Sequence, residues 1–398
     1  MISEQEGINT MNMEKMNFLL RALCAVALIA FMGAGTVRAQ VPADIETQLQ
    51  KIGHIVDPSC TAKLYRPLMP VNDITSNVTP LYPGITIARD VSFGPNPKDA
   101  VDVFSAEKGP ASRPVLMYVP GGAGNKIELQ SKEDNAFYDN IMRWATKNGM
   151  VGVNMQRHGG GSWDDGAKDV SAMIQWVEAN ISKYHGNPDR MFIWAQSAGN
   201  GPLGIYIGHP ELYGPKGVGV KGVIFMSGQF NILPAQPAGM GGTPPAPGQG
   251  GGGGNNLFGN AGTLCGGSVP NATDGALPGK GPGEPGGPAQ AATGGPGPGG
   301  PGGQRVDAAT QLARSSLPAL KETKVALFLA SAELDPGVNG AMSPFNQTLH
   351  DELCKVGPEH CPAMLFEKGE SHMSEVFSID TDDKTVSGPI LVWIKKIK

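Results

Sequence analysis

No cluster of lysines and arginines occurs anywhere in this chain, and its 31 Lys and Arg are outnumbered by 36 Asp and Glu, for a formal charge of −5. A nucleic-acid partner calls for a basic patch or stripe, so the composition argues against one. Cysteine is scarce, at five residues, and no two are spaced as zinc ligands are. Long apolar runs are missing too. The one apolar stretch near the start, Ala22 to Gly35, is shorter than the roughly 20 residues a membrane span needs, and Arg21 bounds it closely. Stable membrane insertion is therefore not expected.

That short stretch has another reading. Lys15 and Arg21 precede it, and Val37 and Ala39 follow as small residues at the −3 and −1 positions of a cleavage site. This is the layout of a secretory signal peptide over residues 1–39, so the protein is expected to be exported, to the periplasm or beyond, with cleavage near Ala39. Export would also permit disulfides. Cys354 and Cys361 are close enough to join a helix end to the next loop, and Cys60 could pair with Cys265.

A second segment, 235–304, holds 26 glycines and 12 prolines among its 70 residues, with almost no charge. It has neither an amphipathic period nor the strict triplet of collagen. Such a composition cannot bury enough apolar surface to offset its conformational entropy, so it reads as a low-complexity insert. What remains, 40–234 and 305–398, is a normal size for one large α/β domain.

Within that domain, residues 40 to about 84 read as irregular after a helical opening at "DIETQLQKIG". Beyond them strands alternate with helices. "RPVLMYV", "MVGVNM", "RMFIWA", "VKGVIFM" and "KVALFLA" are continuous apolar runs rather than alternations of period two. That pattern belongs to a mostly parallel sheet covered on both faces. Such sheets place their ligands at the carboxyl ends of the strands.

Four strand ends carry something unusual. "PGGAGN", Pro120 to Asn125, lets the backbone come close to a ligand with its N–H groups outward. "AQSAG" puts Ser197 among small residues, where a sharp strand-to-helix turn would lift its hydroxyl to the helix N-terminus. "AELDPG" and "KGESHMSE" place Asp335 and His372 after later strands. A hydroxyl is a poor nucleophile at neutral pH; it needs a base within reach, and the base needs an acid to fix its tautomer. Ser197, His372 and Asp335 supply that set, with Glu333 a competitor for the acid role. Backbone N–H groups of Gly122, Ala123 and Ala198 are the candidates for an oxyanion hole.

The order Ser, Asp, His is that of α/β-hydrolases, and from Pro114 onward, the insert excluded, the chain resembles their esterase and lipase branch, including the hormone-sensitive-lipase-like and feruloyl-esterase-like carboxylesterases. "DVSAMIQWVEANISKYHGNPDRMFIWAQSAG", "AELDPG" and "HMSEVFSIDTDD" carry the resemblance. It implies an α/β-hydrolase fold and a serine esterase acting through an acyl-enzyme, without cofactor or metal, on a small-molecule or polymer-linked ester. The same three side chains could cleave amides, as in an arylformamidase or peptidase, or the fold could serve as an inactive binding protein. Two departures stand out. Ala195 replaces the first glycine of G-x-S-x-G, and Pro120 replaces the histidine that usually buttresses the oxyanion loop. Among other residues, His158 could line the pocket or be a solvent-exposed loop histidine; Trp163, Asp164 and Asp165 could contact substrate, although the two acids also suit a helix start. His185, His209, His350 and His360 read as surface or capping residues.

Overall fold

A computed structural model of the protein describes residues 40–70, 82–128, 135–158, 161–233 and 306–398. The expected signal segment, Cys265 and the glycine-rich insert lie outside these residues. The first described elements are two helices, α1 (Ala43–Ile52) and α2 (Pro58–Tyr65). The second corrects the reading of this region as irregular. Its start is written locally: Asp57 accepts the N–H of Cys60 at 2.9 Å, and Pro58 stands in the first turn, where its missing N–H costs nothing.

Eight strands build one sheet: β1 (Ile85–Ser92), β2 (Ala100–Ala106), β3 (Arg113–Val119), β4 (Val151–Met155), β5 (Gly186–Gln196), β6 (Gly222–Met226), β7 (Ala326–Ala332) and β8 (Ala363–Glu367). Their spatial order is β1-β2-β4-β3-β5-β6-β7-β8. The β1–β2 and β2–β4 pairs are antiparallel, and every pair from β4 onward is parallel. β5 begins earlier than its apolar run suggests. Gly186 pairs with Arg113 across a register shift, so Asn187 and Pro188 belong to the strand instead of turning the chain into it.

The connecting helices are α3 (Ala136–Lys147), α4 (Asp165–Asn180), α5 (Asn200–Gly208), α6 (Ala308–Ala313), α7 (Leu317–Glu322), α8 (Pro344–Cys354), α9 (Ser374–Phe377) and α10 (Ser387–Lys396). Successive strand residues point to opposite faces, and both faces are covered. Leu116, Tyr118, Phe192 and Trp194 pack with Ile141 and Ile390 from α3 and α10. Val115, Met117, Ile193 and Ala195 pack with Val170, Ile174 and Leu203 from α4 and α5. Burial on two sides explains why these strands read as unbroken apolar runs. β1 to β6 precede the insert and β7 and β8 follow it, yet β6 and β7 are direct neighbours. Cys354, at the end of α8, is bonded to Cys361, and Cys60 is disulfide-bonded as well.

Candidate active site

The chain leaves β5 through a turn that only small neighbours permit. Ser197 has φ of 53°, the left-handed region that a non-glycine residue enters at a cost. A methyl group on Gly199 would strike the carbonyls of Val119 and Pro120, and one on Gly121 would lie 2.8 Å from the Ser197 Cβ. The loop after β3 is thus pressed against the serine turn.

Ser197 Oγ donates to His372 Nε2 at 2.8 Å, and His372 Nδ1 donates to Asp335 Oδ1 at 2.6 Å. The three residues follow β5, β8 and β7 and meet at the carboxyl edge of the sheet. Asp335 and His372 are buried, while Ser197 is half-exposed. Glu333 turns elsewhere: its Oε2 accepts the N–H of Gly369 at 2.7 Å. The Asp335 carbonyl, in turn, accepts from His54 Nδ1 at 3.1 Å, a contact from the N-terminal region. Burial opposes a charge on His372, but the charge and hydrogen bond of Asp335, with the charge of Glu375, hold its pKa above the ordinary 6.5.

Gly122, Ala123 and Ala198 are exposed around Ser197. What fixes the Gly-Gly loop is a residue that sequence reasoning passed over. Arg157, just after β4, donates from Nε to Pro120 O at 2.9 Å and from a terminal nitrogen to Gly122 O at 3.0 Å, while its backbone N–H reaches Gly124 O at 2.7 Å. The guanidinium engages the loop's carbonyls from one side. Lys126, at the far end of the loop, bonds the buried Asp102 at 2.6 Å.

Behind His372 lies a second group that the sequence did not reveal. Glu375 accepts from Gln196 Nε2 at 2.9 Å and from Ser227 Oγ at 2.5 Å, and Gln196 also donates to His372 O at 2.9 Å. The residue before the serine, the end of β6 and the histidine loop are therefore tied through one carboxyl. Glu367, Glu370 and Glu375 are fully buried. Burial first, then a neighbouring carboxylate in each case, raises all three well above the ordinary glutamate value.

The remaining candidates have other places. Asp165 opens α4 with Asp164 before it, and Trp163 packs edge-on against His209, 4.9 Å away, under Arg314. His209 is buried and caps the end of α5, its N–H bonding Tyr206 O, so of its two readings, surface or capping, the second holds; its Nδ1 lies 3.0 Å from Glu211. His158 lies between Asp99 and Asp169 instead of beside Ser197. A cavity of about 750 Å³ near Tyr213, Val220 and Val325 is remote from the serine and touches none of the three aligned residues.

Residues 101–208, from β2 through the serine turn to the end of α5, match the BD-FAE family. The chain superposes on the structure of a bacterial heroin esterase with a TM-score of 0.50, over 91% of this chain and 99% of that one, at 13% identity. The likeness shows an α/β-hydrolase fold: a mostly parallel sheet with helices on both faces. Among curated proteins, the chain is 26% identical over 121 residues to a probable isoprenylcysteine alpha-carbonyl methylesterase of Arabidopsis thaliana, which is 28% of this chain and 23% of that protein. It is 30% identical over 115 residues to a chlorogenic acid esterase of Aspergillus niger, 25% of this chain and 20% of that protein. The matched stretches thus span about a quarter of the length of these curated relatives.

Proposed function

We propose that the protein hydrolyses carboxylic esters through Ser197, His372 and Asp335. The observation that carries this reading is the unbroken hydrogen-bonded line from Ser197 Oγ through both nitrogens of His372 to Asp335 Oδ1, at 2.8 and 2.6 Å. A neutral imidazole with Nδ1–H held by Asp335 leaves Nε2 free to take the serine proton as Oγ attacks the ester carbonyl. The resulting oxyanion is stabilised by N–H groups of the serine turn and of the Gly-Gly loop, with Ala198, Gly122 and Ala123 the donors. His372 then returns the proton to the leaving alcohol, and the acyl-enzyme is hydrolysed by the same steps run with water.

Both curated relatives quoted above are named esterases, which favours esters over amides. The intact proton path speaks against an inactive binding protein. The exposure of Gly122, Ala123 and Ala198 supports access for bulky, including polymer-linked, esters. The protein works outside the cytoplasm after cleavage near Ala39; the Cys354–Cys361 bond supports this, since disulfides persist where the surroundings are oxidising. The experiment is hydrolysis of chromogenic aryl and alkyl esters of graded acyl length, with and without a fluorophosphonate. Turnover that the fluorophosphonate abolishes, with the label on Ser197, is expected. Turnover that survives complete labelling of Ser197 would overturn the proposal.

A further inference from the structure

Three donor groups converge on the other side of Arg157, outside the serine site. Asp99 comes from the turn before β2, His158 from the loop after β4 and Asp169 from the second turn of α4. His158 Nδ1 lies 3.1 Å from Asp99 Oδ1 and 3.1 Å from Asp169 Oδ2. The three atoms all fall within 4.8 Å of one another. Both carboxylates are buried, with side chains 7% and 8% exposed.

Hydrogen bonding accounts for only part of this arrangement: Asp169 Oδ2 accepts the backbone N–H of His158 at 3.3 Å, and the contacts of the imidazole remain. An imidazole nitrogen carries at most one proton and can serve two carboxylates only by sharing it in a three-centre bond. Among the described residues, moreover, His158 Nδ1 and Asp99 Oδ1 are both buried atoms without a hydrogen-bond partner, so the short contact between them lacks the geometry of one. The other oxygen of Asp99 is occupied, accepting the N–H of Asn96 at 2.8 Å. That leaves Oδ1 turned to the histidine with nothing to receive. Two ligands each about 2.1 Å from one zinc ion, at an angle near 100°, stand about 3.2 Å apart. The two spacings from His158 Nδ1, 3.1 Å each, match those of co-ligands.

We propose that Asp99, His158 and Asp169 bind one divalent cation of the zinc class. An imidazole nitrogen with only two carboxylates suits a borderline transition metal; calcium would require six or more oxygen ligands and magnesium near-ideal octahedral oxygen geometry. The ion neutralises the two carboxylates and leaves its remaining position to water. Its role is structural. It ties the β1–β2 turn to α4 through the residue that follows Arg157, the side chain that holds the carbonyls of Pro120 and Gly122. Among the described residues, the other cluster of potential ligands, His350 with Cys354 and Cys361, offers no thiolate because its cysteines are joined.

The test is metal binding by the full-length protein after chelator treatment and dialysis, read without any ester. Calorimetric titration with Zn²⁺ should show one equivalent bound, and Co²⁺ should give the intense visible bands of a four- or five-coordinate site. Asp99→Asn and His158→Gln should each weaken Zn²⁺ by more than about 10-fold, the loss that disturbing even an outer-shell partner produces. His350→Gln should leave the affinity unchanged. The Co²⁺ spectrum belongs to the unaltered protein, so the proposal stays open to refutation if a variant fails to fold. It is overturned if the stripped protein binds no stoichiometric Zn²⁺ or Co²⁺, or if His158→Gln folds and binds as tightly as the parent. Loss of ester hydrolysis in Ser197→Ala has no bearing on either readout.

Discussion

Arg157 holds the carbonyl of Pro120 from its Nε at 2.9 Å, and through that contact the strand after α3 sets the position of the loop beside Ser197. The guanidinium is planar and reaches more than one carbonyl at once, which a lysine cannot imitate. Replacing it should therefore disturb oxyanion stabilisation more than substrate binding. Arg157→Lys is expected to lower kcat by about 10²-fold, as loss of one oxyanion donor does, with a small change in KM. A fall in kcat/KM that comes wholly from KM would show that Arg157 serves binding instead.

Ser197→Ala, His372→Ala and Asp335→Asn should each reduce turnover by roughly 10³-fold or more, since the three act as one unit. For the same reason the double variant Ser197→Ala/His372→Ala should be no slower than about the slower single variant. Steady-state kinetics on a chromogenic ester, with circular dichroism to confirm folding, decides this. Additive losses would mean that the serine and the histidine do not share a step.

The pH profile reports the state of His372. Only the neutral imidazole can accept the serine proton, so kcat/KM should rise with pH, and the midpoint should lie above 6.5 because Asp335 raises the histidine pKa. In Asp335→Asn that source of stabilisation of the cation is gone, and the midpoint should move to lower pH as the plateau falls. An unshifted midpoint in the variant would break the assignment of Asp335 as the partner.

The buried glutamates make a prediction about stability. Glu367 is fully buried and its carboxyl is raised well above 4.5. Between the unfolded value and the folded one, the native state holds a proton that the unfolded chain has released. Stability must then fall as pH rises, by about 1.4 kcal/mol per pH unit for one such group. Glu367→Gln cannot ionise and should flatten this decline, melting at a higher temperature than the parent at pH 8 while differing little near pH 4. Parallel melting-temperature curves for the two proteins from pH 4 to 8 would refute it.

Thiol titration of the denatured, unreduced protein should find no free thiol at Cys354 or Cys361, which are bonded across a separation of 7 residues. A loop this short constrains the unfolded chain modestly, so Cys354→Ser should cost about 2–3 kcal/mol in urea unfolding. Two reactive thiols at these positions would refute the bond and remove one support for export.

The sequence by itself determined the layered fold and the location of Ser197, Asp335 and His372. Strands buried on both faces must be apolar throughout, and helices must alternate with them, so the sheet is visible as composition. The three polar residues stand out because each follows such a run, Ser197 directly and Asp335 and His372 within a few residues, and their order along the chain limits the arrangement further. Helix α2 was also written locally, in Asp57 and Pro58, but the irregular residues around it obscured the signal. Tertiary structure alone decided the rest. Arg157 looks like an ordinary charged residue leaving a strand; its role exists only because β4 lies beside β3, which brings the guanidinium under the Gly-Gly loop. "KGESHMSE" marks His372 after a strand but says nothing of burial, and Glu370 and Glu375 are buried by the packing of α9 on α2 and α3. Asp99, His158 and Asp169 are dispersed over 71 positions and meet only where a turn, a loop and a helix converge. Periodicity and turn chemistry act between near neighbours and leave a mark in the chain, whereas a contact between distant side chains leaves none until the sheet has ordered its strands.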